Sequence, residues 1–111
     1  MDNFDDKLEE LFANFRRQLP ARLTTCLDAW EIYQKSHDDE ALNQLRFQTH
    51  KLAGAASIYG FEDIGNTART IELLVDNYYN GEIKDTEKFS VELMPHIAEL
   101  KQRILGIELR N

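Results

Sequence analysis

Apolar residues recur at alternating spacings of three and four along nearly the whole chain, and this spacing is what most limits the possible folds. One such row contains Leu42, Leu45, Thr49, Leu52 and Ala56. Spacings of three and four place side chains on one face of an α-helix, whereas a strand needs alternation with a period of two. No segment carries a convincing strand pattern. The sequence therefore predicts an all-α protein.

Breaks in this pattern divide the first half of the chain into three predicted helices. Pro20 ends a first helix that extends from about Asp5 to Gln18, and proline suits the first turn of the second helix. Asp38 or Asp39 fits the N-cap position of the third helix. The predicted buried row of the first helix consists of Leu8, Leu11, Phe12 and Phe15.

Two further breaks divide the second half. Gly60 fits the C-terminal stop of the third helix, and residues 77–85 separate the fourth helix from a fifth that begins at Thr86. Pro95 lies inside this last helix and is expected to kink or interrupt it. Because short connections make neighbouring helices antiparallel, we predict an antiparallel four-helix bundle with a short additional N-terminal helix. Residues 1–111 are expected to form this single domain.

The charge and hydropathy of the chain exclude several classes of function. The formal net charge is −7, and Lys and Arg form no patch of the kind that binds a nucleic-acid backbone. The N-terminus has neither the basic nor the apolar region of a secretion signal, and no stretch is apolar enough for a membrane span. We therefore expect a cytoplasmic protein, monomeric, that binds neither membrane nor nucleic acid and whose partners are proteins.

The third predicted helix carries a histidine on the face that points away from its apolar row. His50 lies about 130° from the centre of that row, and Arg46, Phe47, Gly54 and Ser57 also project outward. A glycine inside a helix costs about 1 kcal/mol relative to alanine. Omitting a side chain one turn from an exposed histidine would let another protein approach the imidazole. Close helix packing is the alternative explanation for Gly54.

The segment from His50 to Phe61 resembles the signature of histidine-containing phosphotransfer (Hpt) domains, H-x-L-K-G-x-x-x-x-x-G. The positions that match in residue type and spacing are His50, Leu52, Gly54 and Gly60. The resemblance implies a helical bundle that carries a phosphoryl group on His50 and has no catalytic turnover of its own. It also implies receiver domains of response regulators and sensor or hybrid histidine kinases as partners. No cofactor is expected in the chain itself, and Mg²⁺ is expected in the partner receiver domain.

One position of the chain departs from this signature. Ala53 stands where the family most often has a lysine that is thought to orient or neutralise the phosphoryl group. Lys51 does not replace that lysine cleanly, because it lies about 100° around the helix from His50. The departure concerns the mechanism more than the family assignment.

A second group is expected beside the histidine. When one nitrogen of a neutral imidazole attacks phosphorus, the other carries a proton whose hydrogen bond fixes the ring. If Gly60 closes a helical hairpin, Arg69 and Glu72 lie level with His50, and Glu72 is the predicted acceptor; the alternative is a solvated surface charge. The predicted supporting residues are Glu72, Gly54, Ser57, Arg69 and Lys51. The residues predicted to face a partner are Phe47, Arg46, Ala53 and Gly54, although Phe47 could instead pack under the N-terminal helix.

Two other classes of function remain open from the sequence. The first is a helical binding module that sequesters a receiver domain without being phosphorylated. The second is an enzyme with a metal or haem between its helices. His37 lies in a polar loop, and His96 has Glu92 four residues before it, a spacing that seldom binds a metal without further ligands. We therefore predict no metal site.

Overall fold

Four helices form the part of the chain that the computed structural model describes, which is residues 2–110, with side chains described for residues 3–107. The helices are α1 (Asp2–Ser36), α2 (Asp39–Ile58), α3 (Glu62–Tyr79) and α4 (Thr86–Arg110). No strand occurs in residues 2–110. The prediction of an all-α protein is confirmed, whereas the prediction of five helices is wrong.

The difference arises at Pro20, because α1 continues through this residue without a break. A proline inside a helix costs about 3 kcal/mol, since it removes a hydrogen bond and crowds the preceding turn. Phe15 and Leu19 before it and Leu23 and Cys26 after it are all buried on one continuous row. Burial of that row on both sides of the proline offsets its local cost. The expected separate N-terminal helix is therefore the first half of α1.

The first turns of α1 are less buried than predicted. Phe15 is buried and Leu8 half-buried, but Leu11 and Phe12 are exposed. Phe15 stacks on Tyr59, the residue that caps the end of α2, with 4.9 Å between ring centroids. Phe12 also meets Tyr59 edge-on, with 5.6 Å between ring centroids, so the contacts of this part of α1 are with the end of α2.

The hairpin between α2 and α3 is fixed by its end residues. Asp38 caps α2, its side chain accepting the backbone N–H of Glu40 at 2.9 Å. At the other end Gly60 has a φ of +82°, and the N–H of Phe61 donates to the carbonyl of Ala56 at 2.8 Å. This is a Schellman-type ending, in which glycine adopts the left-handed conformation without a steric penalty. The predicted cap and the predicted stop are both confirmed.

The core lies between the four helices, each of which contributes one apolar row. Contacts link α1 to α2, α2 to α3, α3 to α4 and α4 to α1, so the helices close into a bundle. Pro95 lies within α4, which it does not interrupt. The most deeply buried large side chains include Leu19, Tyr33, Leu42, Leu45, Leu52, Ile71, Phe89, Leu93 and Leu100. Across residues 2–110, none of the helices is both long and apolar enough to cross a membrane.

Candidate functional site

His50 on α2 and Glu72 on α3 meet on the outer surface of the bundle. The distance from His50 Nδ1 to Glu72 Oε2 is 2.7 Å. The His50 side chain is 67% exposed, whereas that of Glu72 is 12% exposed. Because a carboxylate oxygen accepts hydrogen bonds, this contact places the imidazole proton on Nδ1 and leaves the lone pair on Nε2. The site thus combines an accessible ring with a largely covered carboxylate that orients it.

A second charged pair lies one helical turn away. The Arg46 guanidinium donates through Nε to Asp76 Oδ1. Arg46 precedes His50 by four residues and Asp76 follows Glu72 by four, so α2 and α3 run in opposite directions here and the two pairs are stacked about 5.4 Å apart. Both side chains are partly exposed. The pKa of Arg46 is raised, mainly by the hydrogen bond and charge of Asp76 and to a lesser extent by the charge of Glu72.

Helices α2 and α3 approach each other closely at Gly65. A Cβ atom at Gly65 would lie 3.3 Å from the carbonyl oxygen of Ala53 and 3.3 Å from Ser57 Oγ. Ala53 is 2% exposed as a result. The prediction that Ala53 faces a partner is therefore wrong, because the residue belongs to the interface between the two helices. The Ser57 hydroxyl donates to the Ala53 carbonyl at 3.0 Å, two turns after His50, and so is directed to its own helix rather than to the imidazole.

Gly54 does not take part in this helix interface. It is exposed, and a Cβ atom added there would have nothing within 4 Å. Close helix packing therefore does not explain Gly54, although it does explain Gly65. One turn beyond His50, the glycine leaves open surface beside the imidazole.

The remaining predicted residues lie around the His50–Glu72 pair. Phe47 is 52% exposed and does not pack under α1. The Lys51 ammonium lies over the Phe47 ring, 4.8 Å from its centroid, which is within the range of a cation–π contact. Arg69 is exposed on α3, three residues before Glu72. We define the site surface as His50, Phe47, Lys51 and Gly54.

Comparison with protein families connects this geometry to a known group of proteins. The model of the Hpt domain matches residues 10–105, which is most of the chain. The chain belongs to the Hpt domain family. No curated protein and no solved structure matches the sequence. Hpt domains carry out histidine phosphotransfer in two-component signalling, where they interact with receiver domains and histidine kinases. The resemblance inferred from the segment that begins at His50 is confirmed.

Two residues of this Hpt domain that shape the site were not predicted from the sequence. Gly65 is a glycine inside a helix, and the small residues Ala53 and Ala56 on the facing helix are a signal that could have identified it as a close approach. Asp76 follows Glu72 by one turn, and Arg46 precedes His50 by one turn. That matched spacing on two opposed helices could have indicated the ion pair.

The other histidines lie elsewhere on the Hpt domain. His37 follows the end of α1 with a φ of 54°, and its ring meets Tyr33 edge-on at 5.5 Å between centroids. His96 is half-buried on α4. Among the residues that the structure describes, no three or more His, Cys, Asp or Glu side chains form a group able to hold a metal ion.

Proposed function

We propose that this Hpt domain accepts a phosphoryl group on His50 and passes it between receiver domains, or between a sensor kinase and a response regulator. The observation that carries this proposal is the 2.7 Å contact between His50 Nδ1 and Glu72 Oε2 beneath an exposed imidazole. The domain acts in the cytoplasm as a monomeric carrier without turnover of its own. Its helices form one antiparallel bundle, and the Mg²⁺ needed for transfer is bound by the partner receiver domain.

The transfer step follows from the tautomer that Glu72 selects. The lone pair on His50 Nε2 attacks the phosphorus of a phospho-aspartate, a bond forms between Nε2 and phosphorus, and the aspartate oxygen leaves with the electron pair of the broken P–O bond. The imidazole becomes positively charged while Nδ1 keeps its proton. A carboxylate already hydrogen-bonded to Nδ1 stabilises this developing charge without having to reorganise. Reversal of the same step passes the phosphoryl group to the next aspartate.

The surface around His50 suits a protein that brings its own active site to the ring. Transfer between a histidine and an aspartate depends mainly on positioning and on neutralisation of the phosphoryl charge. Gly54 leaves the approach open, and Phe47 with Lys51 offers an exposed apolar and cationic contact. The lysine that the family most often has at this place is replaced by Ala53. Lys51 and Arg69 instead supply positive charge to face the acidic pocket of a receiver domain.

Replacement of Glu72 tests the proposed role of the carboxylate. Glu72→Ala removes the acceptor for Nδ1, so the ring is free to rotate and to change tautomer, and we expect the rate of phosphoryl transfer to fall by about 10- to 100-fold. Glu72→Gln is the matched control, because its amide oxygen can still accept the Nδ1–H bond while the negative charge is lost. Its rate should lie between those of Glu72→Ala and the wild type, measured with a phosphorylated receiver. Wild-type rates for Glu72→Ala would contradict the role of Glu72.

Replacement of Gly54 separates access to His50 from stability of the helix. Gly54→Ala should raise the free energy of unfolding by about 0.5–1 kcal/mol, because alanine favours a helix and its Cβ atom meets nothing. Gly54→Leu should also fold, but its side chain would stand beside the imidazole and slow transfer from a receiver. Urea unfolding and single-turnover transfer measure the two effects. Unimpaired transfer by Gly54→Leu would show that partners do not approach over this glycine.

A binding module that acts without phosphorylation is the second candidate function. It is favoured by the exposed contact between Phe47 and Lys51, which would serve a partner whether or not His50 is modified. The two functions differ in what is lost when His50 is replaced, since only the carrier needs its imidazole.

A further inference from the structure

The Arg46–Asp76 ion pair has no role in the transfer step described above, although it lies one turn from the His50–Glu72 pair. Arg46 was expected from the sequence to face a partner, but its guanidinium is bound to a carboxylate of its own domain. A guanidinium has five N–H donors in a fixed planar arrangement, of which Nε is used here. Because the Arg46–Asp76 pair lies one turn from the His50–Glu72 pair, the guanidinium is also near Glu72, whose charge contributes to the raised pKa of Arg46.

Two side chains that can donate hydrogen bonds, His50 and Arg46, therefore lie within one helical turn of the Glu72 carboxylate. Glu72 accepts from His50 Nδ1, and Arg46 is the neighbouring cation on the same helix as His50. A guanidinium binds a carboxylate with two charge-assisted hydrogen bonds, which are stronger than a single bond from a neutral imidazole. If Arg46 were not bound elsewhere, it would compete with His50 for Glu72. Asp76 lies one turn further along α3 and forms the ion pair with Arg46 instead.

We propose that Asp76 is a positioning residue, which holds Arg46 away from Glu72 so that Glu72 keeps its hydrogen bond to His50 Nδ1. In this arrangement Arg46 still offsets the negative charge of the two carboxylates without displacing the imidazole. The inference deepens the proposed phosphotransfer function and rests on it for any effect on transfer rate. The orientation of the ring, by contrast, is a property of the free domain.

The test compares three variants: Asp76→Ala, Arg46→Met and the double variant. Arg46→Met keeps most of the aliphatic length of the side chain but removes every donor. The first readout is the pair of ¹⁵N chemical shifts of the His50 ring in the unphosphorylated domain, which report the tautomer without any partner. The second is the single-turnover rate of phosphoryl transfer from a phosphorylated receiver.

Asp76→Ala should shift the His50 ring away from the Nδ1–H tautomer and slow transfer by about tenfold, because Arg46 then binds Glu72. Arg46→Met should keep the Nδ1–H tautomer of the wild type, since no guanidinium then competes with His50 for Glu72. The double variant should recover the Nδ1–H tautomer and most of the transfer rate that Asp76→Ala loses. If Asp76→Ala folds poorly, Asp76→Asn should give a smaller shift in the same direction.

Two results would overturn the inference. One is an unchanged His50 tautomer in both Asp76 variants. The other is a double variant as impaired as Asp76→Ala, which would mean that the ion pair merely holds the two helices together. Asp63→Ala is the matched control, because it removes a different ion pair between helices, Asp63 with Arg103 at 3.2 Å, and should leave the His50 ring unchanged. A domain that accepts no phosphate at all would refute the proposed function, while the nitrogen shifts would still decide the role of Asp76.

Discussion

His50→Gln is expected to abolish the uptake of acid-labile, base-stable phosphate from a competent donor. Glutamine has a side-chain amide in place of the imidazole and so lacks a nucleophilic nitrogen. Because the His50 side chain is 67% exposed, the substitution should change the free energy of unfolding by less than about 0.5 kcal/mol. The measurement mixes the purified domain with a phosphorylated kinase and receiver pair, and follows the label on the domain and its stability in acid and base.

Circular dichroism of the variant provides the control for folding, and its affinity for the receiver provides the control for binding. Loss of label with retained helicity supports the carrier. Undiminished transfer by His50→Gln would place the phosphoryl group on another residue and refute the proposal. A wild type that accepts no label from several competent donors, but binds a receiver as tightly as His50→Gln does, would favour the binding module.

Phe89→Ala is expected to cause the largest loss of stability, about 3–5 kcal/mol, because it leaves a cavity in the buried core. Phe89 is 0% exposed, its ring stacks on Tyr78 at 4.3 Å between centroids, and it meets Tyr33 edge-on at 6.1 Å. These contacts tie the start of α4 to the ends of α1 and α3. Urea unfolding followed by far-ultraviolet circular dichroism measures the change.

Val91→Ala is the matched control on the same helix, since Val91 is 64% exposed. Its free energy of unfolding should differ from that of the wild type by less than about 0.5 kcal/mol. Equal effects of the two substitutions would mean that Phe89 does not occupy the core.

The helices could be predicted from the sequence wherever local pattern and burial agree. The row of Leu42, Leu45 and Leu52 is buried as predicted, and the turn at Gly60 depends on a conformational preference that only glycine meets easily. Pro20 was predicted wrongly because its helix-breaking tendency is a local property. The burial that outweighs this tendency depends on how α2 and α4 pack against α1, which cannot be predicted from the residues around the proline.

The site shows the same division between local and long-range information. Glu72 was identified by counting back and forward from Gly60, since a hairpin of two helices brings residues at equal distances from its turn to the same level. The burial of Ala53 was not predicted, because it depends on how closely α3 approaches α2. Gly65 sets that approach, and its effect appears only when the two backbones are seen together.

If His50 carries the phosphoryl group as proposed, the hydrogen bond between Glu72 and Nδ1 also decides which isomer of phosphohistidine forms. With Nδ1 protonated and hydrogen-bonded to a largely covered carboxylate, the P–N bond of the phosphoramidate can form only at Nε2. The two isomers differ in phosphorus chemical shift and in recognition by isomer-selective antibodies. We expect a single isomer. A mixture of the two isomers would mean that the imidazole ring flips before it reacts.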